Sequence, residues 1–230
     1  MNRPITTLFM LESLDGKINS GSTDLLDVDR DWKTITGVKE GLHQYYEIEQ
    51  NTDLYSLNTG RVMEKIGINE RTNNPDKMPC SFIIIDNKPH LNENGIDYLC
   101  KWVNKLYLVT TNKNHIAYTL KDRYDNLIIM EYDSLDLNLL MTDLYTKYNV
   151  DRVTIQSGGS LNKLFLENNL FDYIHVVVAP LLVGGSETST LIDGKSITTK
   201  EELDKLKSLT LINCKVLDNS YIELEYKVNK

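Results

Sequence analysis

Arg152-Val153-Thr154-Ile155-Gln156-Ser157-Gly158-Gly159-Ser160-Leu161 is the stretch that decides the fold. It opens on β-branched residues, carries two glycines at its centre, and Ser160 starts a run of helical period through residue 168. A strand that ends on glycines and turns at once into a helix is half of a βαβ unit. Outward from it the same alternation recurs. Strands are predicted at 5–11, 53–57, 81–85, 106–109, 127–130, 152–156 and 173–179, and helices at 38–50, 95–103, 135–148 and 160–168. Ser81-Phe-Ile-Ile-Ile85 is apolar on both faces, as a buried parallel strand requires. After Lys207 two alternating runs, 209–216 and 221–228, flank Asp218-Asn219 and read as an antiparallel hairpin. The expected fold is α/β, a mixed and mostly parallel sheet flanked by helices with a C-terminal antiparallel hairpin.

Length and composition narrow the class. At 230 residues the chain holds one domain of ordinary size, expected over residues 1–230. Hydrophobic residues make up 41% and charged residues 25%, which argues against disorder or a coiled coil. Lys and Arg number 25 against 33 Asp and Glu, a net charge of −8, so a nucleic-acid partner is not expected. Cys80, Cys100 and Cys214 lie far apart, as do His43, His90, His115 and His175. Neither set has the spacing of a zinc site, so no metal is expected, and the sparse odd cysteine count fits a reducing cytoplasm. No signal peptide is visible and no apolar run approaches the roughly 20 residues of a membrane span.

In sheets of this kind ligands gather at the carboxyl ends of the strands. Gly158-Gly159 after 152–156 has two readings, a pyrophosphate cradle at a helix N-terminus or simply a tight turn. It is neither a P-loop nor a GxGxxG fingerprint. After the first strand come Glu12 and Ser13-Leu-Asp15-Gly-Lys17, where two carboxylates could supply a proton, or where Asp-Gly merely forms a solvated turn. Asn58-Thr-Gly60-Arg61 offers an arginine for a phosphate. Thr110-Thr111-Asn112-Lys113 offers hydroxyls, an amide and an ammonium suited to a ribose phosphate. Ala179-Pro-Leu-Leu-Val-Gly184-Gly185 reads as a turn after a strand. No GxSxG elbow exists, so a serine hydrolase is not expected.

Four of these motifs in order, Ser13-Leu-Asp-Gly-Lys17, Asn58-Thr-Gly-Arg61, Gly158-Gly-Ser-Leu161 and Ala179-Pro-Leu-Leu-Val-Gly-Gly185, resemble the RibD C-terminal-type reductase domain of riboflavin biosynthesis. The resemblance covers about residues 3–228 and implies a dihydrofolate-reductase-like fold. It implies an NADPH-dependent reductase that passes hydride to a ribosylamino-pyrimidinone 5′-phosphate, with a homodimer as the working form. Under it, Gly158, Gly159, Ser160 and Leu161 would hold the pyrophosphate, with Gly60 and Arg61 nearby. Thr110, Thr111 and Asn112 would approach the adenosine ribose. Asp15 and Glu12 are the catalytic candidates, and Ser13, Asn58 and Ser157 the substrate-binding ones. Two positions depart from the family pattern: Ser157 stands where an acid precedes the glycine pair, and Glu12 stands where a small residue is usual. Glu12 is therefore expected to replace the lost acid. The alternatives are a reductase of a dihydropterin or another heterocycle, and a cofactor-binding protein without turnover. The HxE and PCxxC patterns of the family's deaminase partner are absent from this sequence, so a stand-alone reductase is expected.

Overall fold

The computed structural model describes residues 2–230. In chain order the elements are β1 (Ile5–Ser13), α1 (Val28–Asp31), α2 (His43–Glu49), β2 (Tyr55–Thr59), α3 (Gly60–Lys65), β3 (Ser81–Ile85), α4 (Glu93–Trp102), β4 (Leu106–Thr110) and β5 (Leu127–Glu131). There follow α5 (Leu137–Tyr148), β6 (Arg152–Ile155), α6 (Gly159–Glu167), β7 (Tyr173–Ala179), β8 (Leu209–Val216) and β9 (Ile222–Val228). The chain packs as two compact units, one built on Asp53–Ser157 with residues 2–4, the other on Ile5–Thr52 and Gly158–Lys230.

In the first unit the strand order is β5-β4-β3-β2-β6, and each adjacent pair is parallel. Parallel strands need crossover helices, which cover the sheet and bury it. Every residue of β4 is accordingly buried. Helix α4 begins at Asn92, whose side chain accepts the Gly95 N–H at 2.9 Å. It buries Ile96, Leu99 and Cys100 at helical spacing against Ile84, Leu106 and Leu108. Each such aliphatic side chain contributes about 1.5–3 kcal/mol on burial.

In the second unit β1 pairs parallel with β7, β7 antiparallel with β9, and β9 antiparallel with β8. Its core gathers Phe9, Leu11, Trp32, Leu42, Val177 and Tyr221. The predicted hairpin is present, its turn made by Asp218–Ser220 with Asn219 left-handed at φ 55. The whole is the mixed, mostly parallel α/β fold with antiparallel C-terminal strands. No helix among the described residues is long and apolar enough to cross a membrane.

Three local readings shift. The helix expected from residue 38 begins at His43, because Gly41 lies against the Tyr221 ring and the Tyr221 hydroxyl donates to the Val38 carbonyl at 2.7 Å. Those tertiary contacts hold residues 38–42 in turns. Strand β2 runs two residues later than expected, since the Asp53 carboxylate is taken by Arg152 and Thr154 before the ladder starts. Helix α3, only six residues long, was too short to show a period.

Candidate active site

In the first unit, the strand ends are organised by a carboxylate that strand-end reading passed over. Asp86 directly follows β3, and its side chain is fully buried. It accepts hydrogen bonds from the backbone N–H groups of His90 (3.0 Å) and Leu91 (3.0 Å). The His115 ring lies 3.1 Å from it through Nε2, and the His90 ring 3.2 Å through Nδ1. Burial alone would raise its pKa, but the bonds from His115, Leu91 and His90 together outweigh burial and hold it below the ordinary carboxylate value. His115 Nδ1 accepts the Ala117 N–H at 3.1 Å, so the proton of the neutral ring sits on Nε2, facing Asp86.

The candidates around it take definite places. Thr59 caps α3 by accepting the Val62 N–H, which makes Gly60 its first residue. A Cβ on Gly60 would fall 2.2 Å from Asp86 Oδ1, so this glycine is required by the carboxylate packed on it. Arg61 is exposed at the start of α3. The Thr110 hydroxyl donates to the Asp86 carbonyl (3.0 Å) and accepts the Asn112 N–H (3.1 Å), so it ties β4 to β3. The Thr111 N–H donates to Asn87 Oδ1 at 3.0 Å, and Asn112 Oδ1 accepts the Asn114 N–H at 2.9 Å. Ser157, at the end of this unit, is buried. Asn58 is buried as well, and its Oδ1 has no hydrogen-bond partner among the described residues. A buried acceptor without a partner costs about 1–3 kcal/mol and points to a donor from outside the chain.

In the second unit, Ser13 donates its hydroxyl proton to Asp15 Oδ1 at 2.5 Å and accepts the Lys17 N–H at 2.9 Å. Asp15 also accepts the Val183 (3.1 Å) and Gly184 (2.6 Å) N–H groups. The Ser13 bond, then that from Val183, lowers its pKa to about 2. Lys17, to which no role was assigned from sequence, donates to the carbonyls of Gly185 (2.7 Å) and Thr188 (2.9 Å). The turn after β1 and the 183–188 loop are thereby one tied assembly. Glu12 has no hydrogen-bond partner among the described residues, and burial raises its pKa from 4.5 to about 7. A carboxyl half protonated near neutrality can give a proton to a substrate.

Helix α6 opens on Gly158, which has no side chain to cap it. The Leu161 and Asn162 N–H groups turn back to the Gly158 carbonyl at 3.0 and 3.1 Å. That leaves Gly159 and Ser160 as the outward backbone donors. The two glycines differ in their reasons. A Cβ on Gly159 would meet the Thr190 carbonyl oxygen at 2.3 Å and the Asp193 carboxyl at 2.5 Å, so internal packing explains it. A Cβ on Gly158 would meet nothing within 4 Å, and its φ of −71° suits any residue. Packing does not require a glycine there; its place as the N-cap of α6, where glycine is favoured over alanine, is a reason within the chain, and the space beside it is open. Asn162 holds the 190–194 loop beside α6 through the Leu191 carbonyl (2.8 Å). A cavity of about 380 Å³ opens in that loop, lined by the hydroxyl residues Ser186, Thr188, Ser189 and Thr190 and by Glu187 and Asp193. The backbone N–H groups of Gly159 and Ser160 at the α6 N-terminus suit an anionic group, whereas the Glu187 and Asp193 carboxylates of the neighbouring cavity do not.

Similarity to known proteins agrees with the fold. Over 73 residues the chain is 33% identical to the 2,5-diamino-6-ribosylamino-4(3H)-pyrimidinone 5′-phosphate reductase of Methanothermobacter thermautotrophicus, which covers 32% of this chain and 33% of that protein. The matched segment thus spans about a third of that relative's length. Among solved structures, RibD of Acinetobacter baumannii superposes with a TM-score of 0.71 at 17% identity, covering all of this chain and 59% of that one. Dihydrofolate reductase from Enterococcus faecalis gives a TM-score of 0.50 at 12% identity, over 98% of this chain and 97% of that one. Both likenesses are of fold. The family model described as the RibD C-terminal domain matches residues 4–222, nearly the whole length, and the chain belongs to that family.

Proposed function

We propose that this chain is a nicotinamide-dependent reductase of a pyrimidine-type substrate, with NADPH as reductant and a ribosylamino-pyrimidinone 5′-phosphate as the substrate of first choice. The observation that carries the reading is Gly158, whose missing side chain leaves space that the protein itself does not fill, at the uncapped start of α6. When bound, the nicotinamide supplies a hydride. Gly158, Gly159 and Ser160 hold the pyrophosphate through backbone N–H groups and the helix dipole, and Leu161 lends apolar contact. In the first unit Arg61, Thr111 and Asn112 are assigned to phosphate and ribose oxygens. Gly60 and Thr110 act there by holding the strand ends in place through Asp86. Asn58 Oδ1 is suited to accept from an amino or amide N–H of a ligand. Glu12 holds a proton at its carboxyl for a nitrogen of the substrate, and Asp15, with Ser13, fixes the loop beside it. The unpaired edge strand β8, exposed at every residue, supports a homodimer joined through that strand.

The test is a titration with NADPH and NADH followed by nicotinamide fluorescence. Binding that falls at least tenfold in Gly158→Ala, with unfolding shifted by under about 1 kcal/mol, is the expected result. Binding of neither dinucleotide ends the reductase reading. Oxidation of bound NADPH on adding the ribosylamino-pyrimidinone phosphate is expected next. Oxidation only by a dihydropterin reassigns the substrate, and oxidation by neither leaves a binding protein.

A further inference from the structure

Strands β7 and β9 carry a constellation that the reductase reading does not use. Glu223 and Glu225 are two residues apart on β9, so both side chains leave the same face of the sheet. His175 on β7 is the register partner of Glu225 and therefore shares that face. His175 Nε2 lies 2.9 Å from Glu223 Oε1, and one ligand atom from each of the three residues falls within 4.8 Å of the others. Forty-eight residues separate His175 from Glu223, so no spacing motif betrays the group.

We propose that His175, Glu223 and Glu225 form a binding site for a divalent transition ion, zinc being the first to test. The donor set is one imidazole and two carboxylates, the borderline chemistry that Zn²⁺ accepts. Two ligands on one tetrahedral zinc stand about 3.4 Å apart, so side-chain rotation of about an ångström closes the present group onto a metal. The backbone need not move, because the three Cα positions are set by the ladder. Two of the three ligands are also held from outside the group. The Phe9 ring packs edge-on to His175 with centroids 4.9 Å apart, and Asn213 Nδ2 donates to Glu225 Oε1 at 3.1 Å. Such outer contacts orient ligands before a metal arrives.

Charge points the same way. Glu223 is only 8% exposed. The other charged strand residues on this face of β7, β8 and β9 are Lys215, opposite Glu223 on β8, and Lys227, two residues beyond Glu225. Neither ammonium comes within ion-pair distance of the carboxylates, so two negative charges face one imidazole on a half-buried surface. A cation of charge two balances them, and three protein ligands leave one position for water.

The competing occupant is a proton on His175, and the test separates the two. The full chain, stripped with chelator, is titrated with ZnCl₂ and separately with MnCl₂ by calorimetry. Thermal unfolding and the His175 ring resonances are followed alongside. One Zn²⁺ per chain, a higher Tm and a metal-induced shift of the His175 signals are expected. His175→Gln and the milder Glu225→Gln should each weaken Zn²⁺ at least tenfold. Cys214→Ser, at the exposed cysteine on the opposite face of β8, should leave it unchanged. Absence of stoichiometric Zn²⁺, wild-type affinity in both ligand variants, or His175 resonances indifferent to Zn²⁺ overturns the proposal.

Discussion

Replacing Glu12 by Gln should make the protein more stable in base and leave it nearly unchanged in acid. Burial raises the Glu12 pKa from 4.5 to about 7, and no group donates to its carboxylate among the described residues. A carboxyl with a raised pKa in the folded state favours folding while protonated. Its contribution is whole below pH 4.5, fades as pH rises, and is gone above about pH 7. At 1.36 kcal/mol per tenfold change in proton affinity, the ionised group costs the fold about 3 kcal/mol. Gln carries the same shape without the charge and avoids that cost. The assay is urea unfolding of both proteins from pH 4.5 to 8.5. Their stability difference should open between pH 4.5 and 7 and then stay level, approaching a few kcal/mol at most. Parallel curves across that range would refute the buried, unpartnered state of Glu12. If Glu12 is also the proton donor, turnover in Glu12→Gln should lose the wild-type fall in rate as the carboxyl ionises near pH 7.

The remaining predictions concern packing and assembly. Gly159→Ala drives a methyl into the Thr190 carbonyl and Asp193, and overpacking of this kind should lower stability by about 1–3 kcal/mol in denaturant unfolding. Gly158→Ala, one residue away, meets no atom and should cost only what an alanine N-cap costs, under about 1 kcal/mol. His115→Ala strips one of several hydrogen bonds from the fully buried Asp86 and should cost about 1.5–3 kcal/mol; a loss under about 0.5 kcal/mol would mean that Asp86 needs no such partner. Leu211→Lys on β8 should convert a dimer to a monomer in light scattering if β8 is the joining edge, since Leu211 is 52% exposed in one chain and would be buried in the pair.

Much of this molecule was legible as pattern. The strand runs Ser81-Phe-Ile-Ile-Ile85 and Leu106-Tyr-Leu-Val109 are apolar on both faces, which only a covered parallel sheet tolerates, and they form such a sheet. The alternating runs after Lys207 form the antiparallel pair, because a period of two is a property of the strand itself. The start of α6 was legible because two glycines between a strand and a helix are a local event. Short-range chemistry of this kind is written in consecutive residues.

What the sequence could not decide was which side chains spend their polar groups on one another. Gly158 and Gly159 are identical letters, yet one is fixed by Thr190 and Asp193 and the other faces open space. Ser13 and Asp15 look like a free polar pair and are instead bound to each other and to the 183–184 backbone. Asp86 becomes an organising charge only when His90 and His115 fold onto it, and His175 meets Glu223 only across a strand ladder. Such pairings depend on register and on the path of the chain between distant elements. The sequence by itself determined the α/β architecture and named the strand ends as the place to expect a ligand. Tertiary structure alone decided which polar atoms are already engaged inside the protein, because those pairings depend on strand register and on the path of the chain.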